Sequence, residues 1–472
     1  MNQYLSAYPE YKPAGLPWLV EVPAHWKVTK VKHLFRERSE KGYPDEPLLA
    51  ATQKQGVVLK TMVGSRTVEA SKDFHLLKLV RVGDFVISLR SFEGGIEYAH
   101  YQGIISPAYN VLTPNEADDA LYLAYLLKSK PFVESLTLFV TGIREGQNID
   151  NAKFSISSMP IPPLPEQQRI VAFLDGKTRQ IARLLRNKRQ LIKLLTEQKQ
   201  ALIHHAVTQG LDPDAPRKES GLAWLGEVPA HWDVVKLSRV VNLLTGYPFA
   251  SSDFSKSPDA IRLLRGINVT PIGIRWESVV KWERRPNDKL DAFLLKAGDI
   301  VLGMDRPIIS TGVRVTIVQP TDLPSLLLQR VACLRPVGGI SNEFLVLLLK
   351  GKMFAQYMEP IFTGISVPHL SPEQIKAFRV ALPPIKEQQT IVAYIKSETR
   401  LLDETIARAQ REIELIQEYR TRLIADVVTG RVDVQQLADT ASGVELPTED
   451  ELDLEDEESE EELLIETEDG RE

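Results

Sequence analysis

The sequence predicts an α+β protein: two mixed α/β domains separated by two long helices that form an intramolecular antiparallel coiled coil, then a disordered acidic C-terminal tail. Three observations predict it. Two different frames of the sequence recur in the same order. A proline-free heptad segment of forty-odd residues follows each copy of the second frame. The charge of the last thirty-odd residues is opposite to that of the rest. The expected boundaries are a first domain over 1–163, a first spacer helix over 164–210, a second domain over 211–384, a second spacer helix over 385–430 and the tail over 431–472.

The repeat comes first, because it decides the architecture. VEVPAHW at 20–26 returns as GEVPAHW at 226–232, and GLPW at 15–18 returns as GLAW at 221–224. PPLPEQQRIV at 162–171 returns as PPIKEQQTIV at 383–392, and this second offset persists without a gap to Val207-Thr208 and Val428-Thr429. Between the frames only scattered matches survive, such as VGDFVIS at 82–88 with AGDIVLG at 297–303, and Thr141-Gly142 with Thr363-Gly364. Drift after duplication explains diverged middles; so does a division of labour in which the middles read different things and the ends share one task.

Residues 166–207 and 387–428 lack interior proline and are rich in Leu, Ile, Lys, Arg, Gln and Glu, which are good helix formers. Proline-rich lead-ins precede them, and Gly210 and Gly430 lie near their far ends as stop signals. At ~1.5 Å per residue such a helix reaches roughly 60 Å. Seven-residue columns run along both: Val171, Thr178, Leu185, Ile192, Lys199 and Ala206 with Leu174, Ile181, Lys188, Leu195 and Leu202 in the first; Val392, Thr399, Ile406, Ile413, Arg420 and Val427 with Ile395, Leu402, Ala409, Ile416 and Leu423 in the second. This is a coiled-coil seam. Its polar breaks set the direction. A parallel pair in register would put Lys199 against Arg420, like charge on like; an antiparallel pair puts each threonine opposite a basic residue.

The segments 27–160 and 233–382 mix short β-prone runs with Gly, Pro, Asn and Asp punctuation. GDFVISL (83–89), GDIVLGM (298–304) and VRVTIV (313–318) read as strands, and ALYLAYLLKS (120–129) and NEFLVLLLKG (342–351) as helices. Polar and basic residues gather in the turn-rich stretches: Lys54, Gln55, Arg66, Arg90, Ser91, Tyr109, Arg144, Gln147 and Asn148 in the first domain. In the second they are Arg265, Asn268, Arg284, Arg285, Asn287, Arg306, Arg314, Gln329, Arg330 and His369. Arginine with Asn or Gln is the chemistry of base-edge reading, and further Lys and Arg neutralise phosphates. For each residue a solvated loop side chain or an internal cap stands as the alternative.

The net charge of −6 conceals an asymmetry. Residues 441–472 hold 16 Asp and Glu against one Arg, which leaves 56 Lys and Arg against 47 Asp and Glu in residues 1–440. A basic body permits an anionic partner without proving one. The tail reads as disordered, with a solubilising role or a role in competing with an anionic partner for basic surface. One cysteine, Cys333, excludes an intrachain disulfide and suits a cytoplasmic setting. The N-terminus lacks signal-peptide regions, and no apolar run is long enough to span a bilayer.

Catalytic motifs are missing. Gly176-Lys177-Thr178 resembles the end of a P-loop, but Val171 stands where the first glycine belongs and the segment lies in the heptad pattern. No G-x-G spacing occurs, and neither Pro-Pro pair (IPPL, LPPI) carries an amino-methyltransferase pattern. His204-His205 has no HExxH context, and Cys333 has no base nearby in sequence. His25 and His231 precede Trp26 and Trp232 in the repeated frame, where packing or turn capping is the expected role.

Taken together, these residues resemble the specificity subunit of Type I restriction–modification enzymes over about 15–430. The carriers are PPLPEQQRIV and PPIKEQQTIV, the WLGEVPAHW-type opening of each variable domain, GIISPAYNVL (103–112), GDIVLGMDR (298–306) and LQRVACLRP (328–336). The resemblance implies that each variable domain is a target recognition domain binding one half of a split recognition sequence in double-stranded DNA, mainly in the major groove. The paired helices would set the spacer and dock two methyltransferase subunits, with restriction/translocase subunits joining them. S-adenosylmethionine, ATP and Mg²⁺ would belong to those partners, with no cofactor, metal or catalysis on this chain, and with adenine flipped into the partner's pocket. It also implies a prokaryotic, cytoplasmic, nucleoid-associated protein with no membrane partner. A coiled-coil adaptor whose globular ends bind proteins is the rival class; a self-contained restriction–methylation enzyme is disfavoured by the missing motifs.

Overall fold

The computed structural model describes residues 6–53, 55–63, 73–88, 95–115, 120–141, 148–222, 224–285, 288–309, 311–362 and 368–435. The chain forms two compact units, one from residues 1–188 and 411–472 and the other from 189–410. Each unit therefore takes half of each long helix. The helices run Leu164–Gln209 and Ile385–Val428. Each starts directly after a Pro-Pro pair and ends before a glycine of positive φ, Gly210 at 74° and Gly430 at 77°. A left-handed residue at that position closes a helix at no steric cost only when it is glycine.

In the first unit the N-terminal half of the first helix runs antiparallel to the C-terminal half of the second. Leu174, Ile181, Leu185 and Leu423 are buried there, and Ile413 and Ile416 are packed against the same cluster. The seam lysine Lys188 bridges Glu412. In the second unit Ile395 is buried, Leu202 packs against its cluster, and Ile192, Leu195, Leu402 and Ile406 are half-buried. Lys199 bridges Asp403, one turn beyond the buried Thr399. Lys188 and Lys199 thus meet carboxylates of the facing helix, as antiparallel pairing allows.

Both domains carry the same four-stranded antiparallel sheet. In the first unit the order is Phe35–Arg38, Tyr109–Pro114, Phe85–Ser88, Glu97–Tyr98; in the second it is Val241–Thr245, Val331–Pro336, Ile300–Gly303, Val315–Ile317. The aspartate of each Gly-Asp turn anchors it. Asp84 accepts from the Arg81 N–H, Arg38 and Thr113, and Asp299 from the Lys296 N–H and Arg335. A buried carboxylate is stable only when charged and neutral donors satisfy it in this way. Behind each sheet lies a helix of matching length, Ala120–Lys128 and Asn342–Lys350. A two-stranded ribbon closes each domain, Lys27–Lys30 with Ser158–Ile161 and Asp233–Lys236 with Arg379–Leu382. The second domain adds a three-stranded sheet in which Ile261–Leu264 pairs parallel with Ser325–Leu327.

Gly246 marks the tightest approach in this domain. A Cβ there would stand 2.0 Å from the Leu328 carbonyl oxygen, which is backbone and cannot swing aside. Gly246→Ala is therefore expected to cost about 3 kcal/mol, at the upper end for overpacking, read as a lower melting temperature of the second unit alone. An unchanged melting profile would show that the two backbones are not in contact.

Candidate nucleic-acid interface

In the second unit three loops converge at the end of the strand Ile300–Gly303. Met304 donates its N–H to the Arg330 carbonyl, Leu370 donates to the Met304 carbonyl, and Arg306 donates to the Pro368 carbonyl. Asp305 sits at the junction. Its carboxylate accepts from Arg330 at 2.7 Å and contacts His369 Nδ1 at 2.5 Å. Arg306 and Arg330 both hold positive φ, 41° and 66°. Non-glycine residues at such φ carry roughly 1–3 kcal/mol of strain each, which persists only where surrounding contacts impose it; here the laced loops do so. Arg306, Gln329, Arg330 and His369 are all exposed, and Tyr247, whose carbonyl accepts the Gln329 N–H, is 40% exposed beside them. The result is a rim of two guanidiniums, an amide and an imidazole, in which one carboxylate holds Arg330 and His369. Donors and acceptors of these types, held on rigid backbone, suit the hydrogen-bonding edges of bases.

Five other residues singled out in this domain are engaged within it. Asn268 is 2% exposed; its Oδ1 accepts from the Arg265 N–H and its Nδ2 donates to the Arg275 carbonyl. Arg265 donates to the Ser278 carbonyl. Arg314 is 6% exposed and lies directly against Gly303. Arg284 is engaged by Asp288 and Asp291, and Arg285 lies 3.7 Å from Asp253.

In the first unit Gln55 is 9% exposed and its N–H is capped by Thr52 Oγ1. Tyr109 is half-buried and its carbonyl accepts from Lys78. The backbone of Asn148 belongs to a short ribbon with Val140–Thr141. Lys54, Arg66, Arg90, Ser91, Arg144 and Gln147 lie outside the described residues, as does Asn287 in the second unit.

A second feature joins each domain to its helix. Glu166, in the first turn of the first long helix, accepts from Tyr8 Oη at 2.6 Å and Trp26 Nε1 at 2.9 Å, and meets His25 Nε2 at 2.7 Å. Glu387 repeats the arrangement with Trp232 Nε1 at 3.0 Å and His231 Nε2 at 2.8 Å. The glutamine that follows ties the helix to its lead-in: Gln167 donates to the Pro162 carbonyl and Gln388 to the Pro383 carbonyl. Both tryptophans are fully buried. The two recurrent frames are thus the two halves of one joint. Reading the residues singly missed it; the signal was that the His-Trp and Glu-Gln frames always recur together.

Burial and the neighbouring Asp299 push the Cys333 thiol up to about 12, so it is no thiolate nucleophile at neutral pH. Among the described residues no group of three or more His, Cys, Asp or Glu could hold a metal ion, and no helix is long and apolar enough to cross a membrane.

The sequence profile of the Type I restriction modification DNA specificity domain matches residues 26–194 and 229–415. The chain is similar to the Type I restriction enzyme MjaVIII specificity subunit of Methanocaldococcus jannaschii, at 29% identity over 362 residues, covering 76% of this chain and 81% of that one. It is also similar to the EcoAI specificity subunit of Escherichia coli, at 33% identity over 208 residues, covering 43% of this chain and 34% of the relative. A solved structure described as the structural basis of complex assembly and conformational transition of the type I R-M system shares the fold. Its TM-score is 0.63 at 17% identity, covering 87% of this chain and 99% of the other.

Proposed function

This chain belongs to the Type I restriction–modification DNA specificity family, and on that premise we propose that its two domains read the two halves of a split, asymmetric DNA sequence. In the second unit the reading face is the rim of Arg306, Gln329, Arg330 and His369. In the first it is the corresponding end of the strand Phe85–Ser88, where Arg90 and Ser91 follow in sequence. One observation carries the proposal: the two sheets have the same strand order, while the residues after the matched strands differ. A doubled scaffold with unlike loops suits two unlike half-sites better than a palindrome. The long helices set the spacer and dock two methyltransferase subunits, which join restriction/translocase subunits in the cytoplasm. S-adenosylmethionine, ATP and Mg²⁺ act on those partners, and this chain chooses the site without performing chemistry on it.

Sequencing the methylated bases of the host genome with and without this gene tests the proposal. The expected result is loss of one two-part motif with a fixed spacer. Loss of a palindrome, or of no motif, overturns it.

A further inference from the structure

Each domain also meets the other long helix, the one that does not carry its joint. In the first unit a cleft of about 320 Å³ opens there, lined by Lys128, Ser129 and Lys130 from the domain and by Gln417, Arg420 and Thr421 from the helix. Three basic side chains line it. Lys128 is bridged to Glu97 at 2.7 Å and donates to the Gln53 carbonyl. Among the described residues Lys130 pairs only with the exposed Glu134, at 3.9 Å. Arg420, half-buried on the helix, makes no hydrogen bond or ion pair among the described residues.

The second unit repeats the arrangement. LLKSKPF at 126–132 returns as LLKGKMF at 348–354, and Arg420 of the second helix corresponds to Lys199 of the first. The pairing is spatial as well. Burial, and then the nearby charge of Lys199, hold the Lys350 ammonium below its ordinary value. Burial followed by Lys352 and His205 does the same to His204. Lys350 donates to the Pro271 carbonyl rather than to a carboxylate, and Lys199 is bridged to Asp403. Like charges gathered on one surface disfavour one another unless an anion enters among them. The domain loops have diverged, yet this Lys-x-Lys pair and its basic partner on the helix are present in both units.

We propose that each unit carries a sequence-independent anion site where the Lys-x-Lys pair meets the basic residue of the long helix, and that the DNA phosphodiester backbone occupies it. The occupant rests on the DNA-specificity reading above. The same basic chemistry in two domains of unlike reading loops suits the part of DNA that is the same at both half-sites. Phosphate contacts of this kind fix register without carrying sequence information.

The test uses the full-length chain, alone and with its methyltransferase partner, carrying Lys130→Gln with Arg420→Gln, or Lys352→Gln. Binding to a matched and to a scrambled duplex is measured from low to moderate salt, with thermal melting to show that the fold is kept. Removing one ionic interaction with a phosphate lowers the slope of log affinity against log salt by about 0.9. The expected result is a slope smaller by about 1–2 for the double change and by about 1 for Lys352→Gln, equal on both duplexes. An unchanged slope overturns the proposal, and an unchanged slope with weakened methyltransferase association assigns the cleft to an acidic protein surface instead. The unsubstituted chain reports separately on the parent reading, which fails if matched and scrambled duplexes bind alike.

Discussion

Trp26→Ala is expected to destabilise the first unit by about 3–5 kcal/mol, the range for emptying a buried aromatic site. Trp26 is fully buried, edge-on to Tyr8 and Tyr122, and its indole N–H is one of the hydrogen bonds that hold the Glu166 carboxylate. Removing it opens a cavity and takes a donor from a buried anion at once. At about 2–4 °C per kcal/mol for a unit of this size, the melting transition of the first unit should fall by roughly 6–20 °C. The transition of the second unit should stay in place. Glu166→Gln separates the two contributions, because it keeps the volume and removes the charge. The Glu166 side chain is 5% exposed and that of Glu387 30%, so Glu166→Gln should cost more, about 2 kcal/mol against about 1 kcal/mol. The effect depends on pH. Burial pushes the Glu166 carboxyl up, but the hydrogen bonds from Tyr8, Trp26 and His25 outweigh it and hold the group below the ordinary glutamate value. A carboxyl depressed in the folded state stabilises above its unfolded pKa, and that contribution fades as pH falls through the folded one. The gap between wild type and Glu166→Gln should therefore be full at neutral pH and narrow progressively below the ordinary glutamate pKa. A gap independent of pH would mean that the carboxylate is not the stabilising species.

The long helices were legible because a heptad repeat is local and redundant: the loss of one column position, as at Lys188, leaves the others to report the seam. Their direction was legible from Thr178, Lys199, Thr399 and Arg420 alone, since like charges in a seam exclude one pairing. The central strands showed through the matched GDFVIS and GDIVLG runs. What stayed hidden is non-local. The parallel pairing of Ile261–Leu264 with Ser325–Leu327 joins segments with no shared pattern. The joint pairs His25 with Glu166 across 141 residues, and neither residue is unusual in its own neighbourhood. The candidate readers show a further limit. Asn268 and Arg306 look alike in sequence, as polar residues near a glycine or proline. Only the fold shows that the amide of Asn268 fits its own turn while Arg306 is exposed at a strained corner. Asp305 escaped notice because an acid is not expected on a DNA-reading surface; its contacts with Arg330 and His369 give it a positioning role.

Arg330→Ala is expected to weaken binding to the matched duplex by about 1–3 kcal/mol, roughly 5- to 150-fold, with the whole loss in one half-site. Substituting bases in that half-site should then cost the variant less than the wild type, while substitutions in the other half cost both the same. Asp305→Ala makes the complementary change. It removes a negative charge from the rim and releases Arg330 and His369, so affinity for scrambled duplex should rise while discrimination falls. The comparison tells base reading from simple attraction. If Arg330 served only as a counter-charge to phosphate, its loss would weaken matched and scrambled duplexes equally and lower the salt slope by about 0.9. Replacing residues 27–160 with the domain of a relative should change the other half-site alone. Combined with Arg330→Ala, its effect should be additive, as expected for sites that share no partners. Strong non-additivity, or a change in both half-sites from either substitution, would mean that the two domains do not read independently.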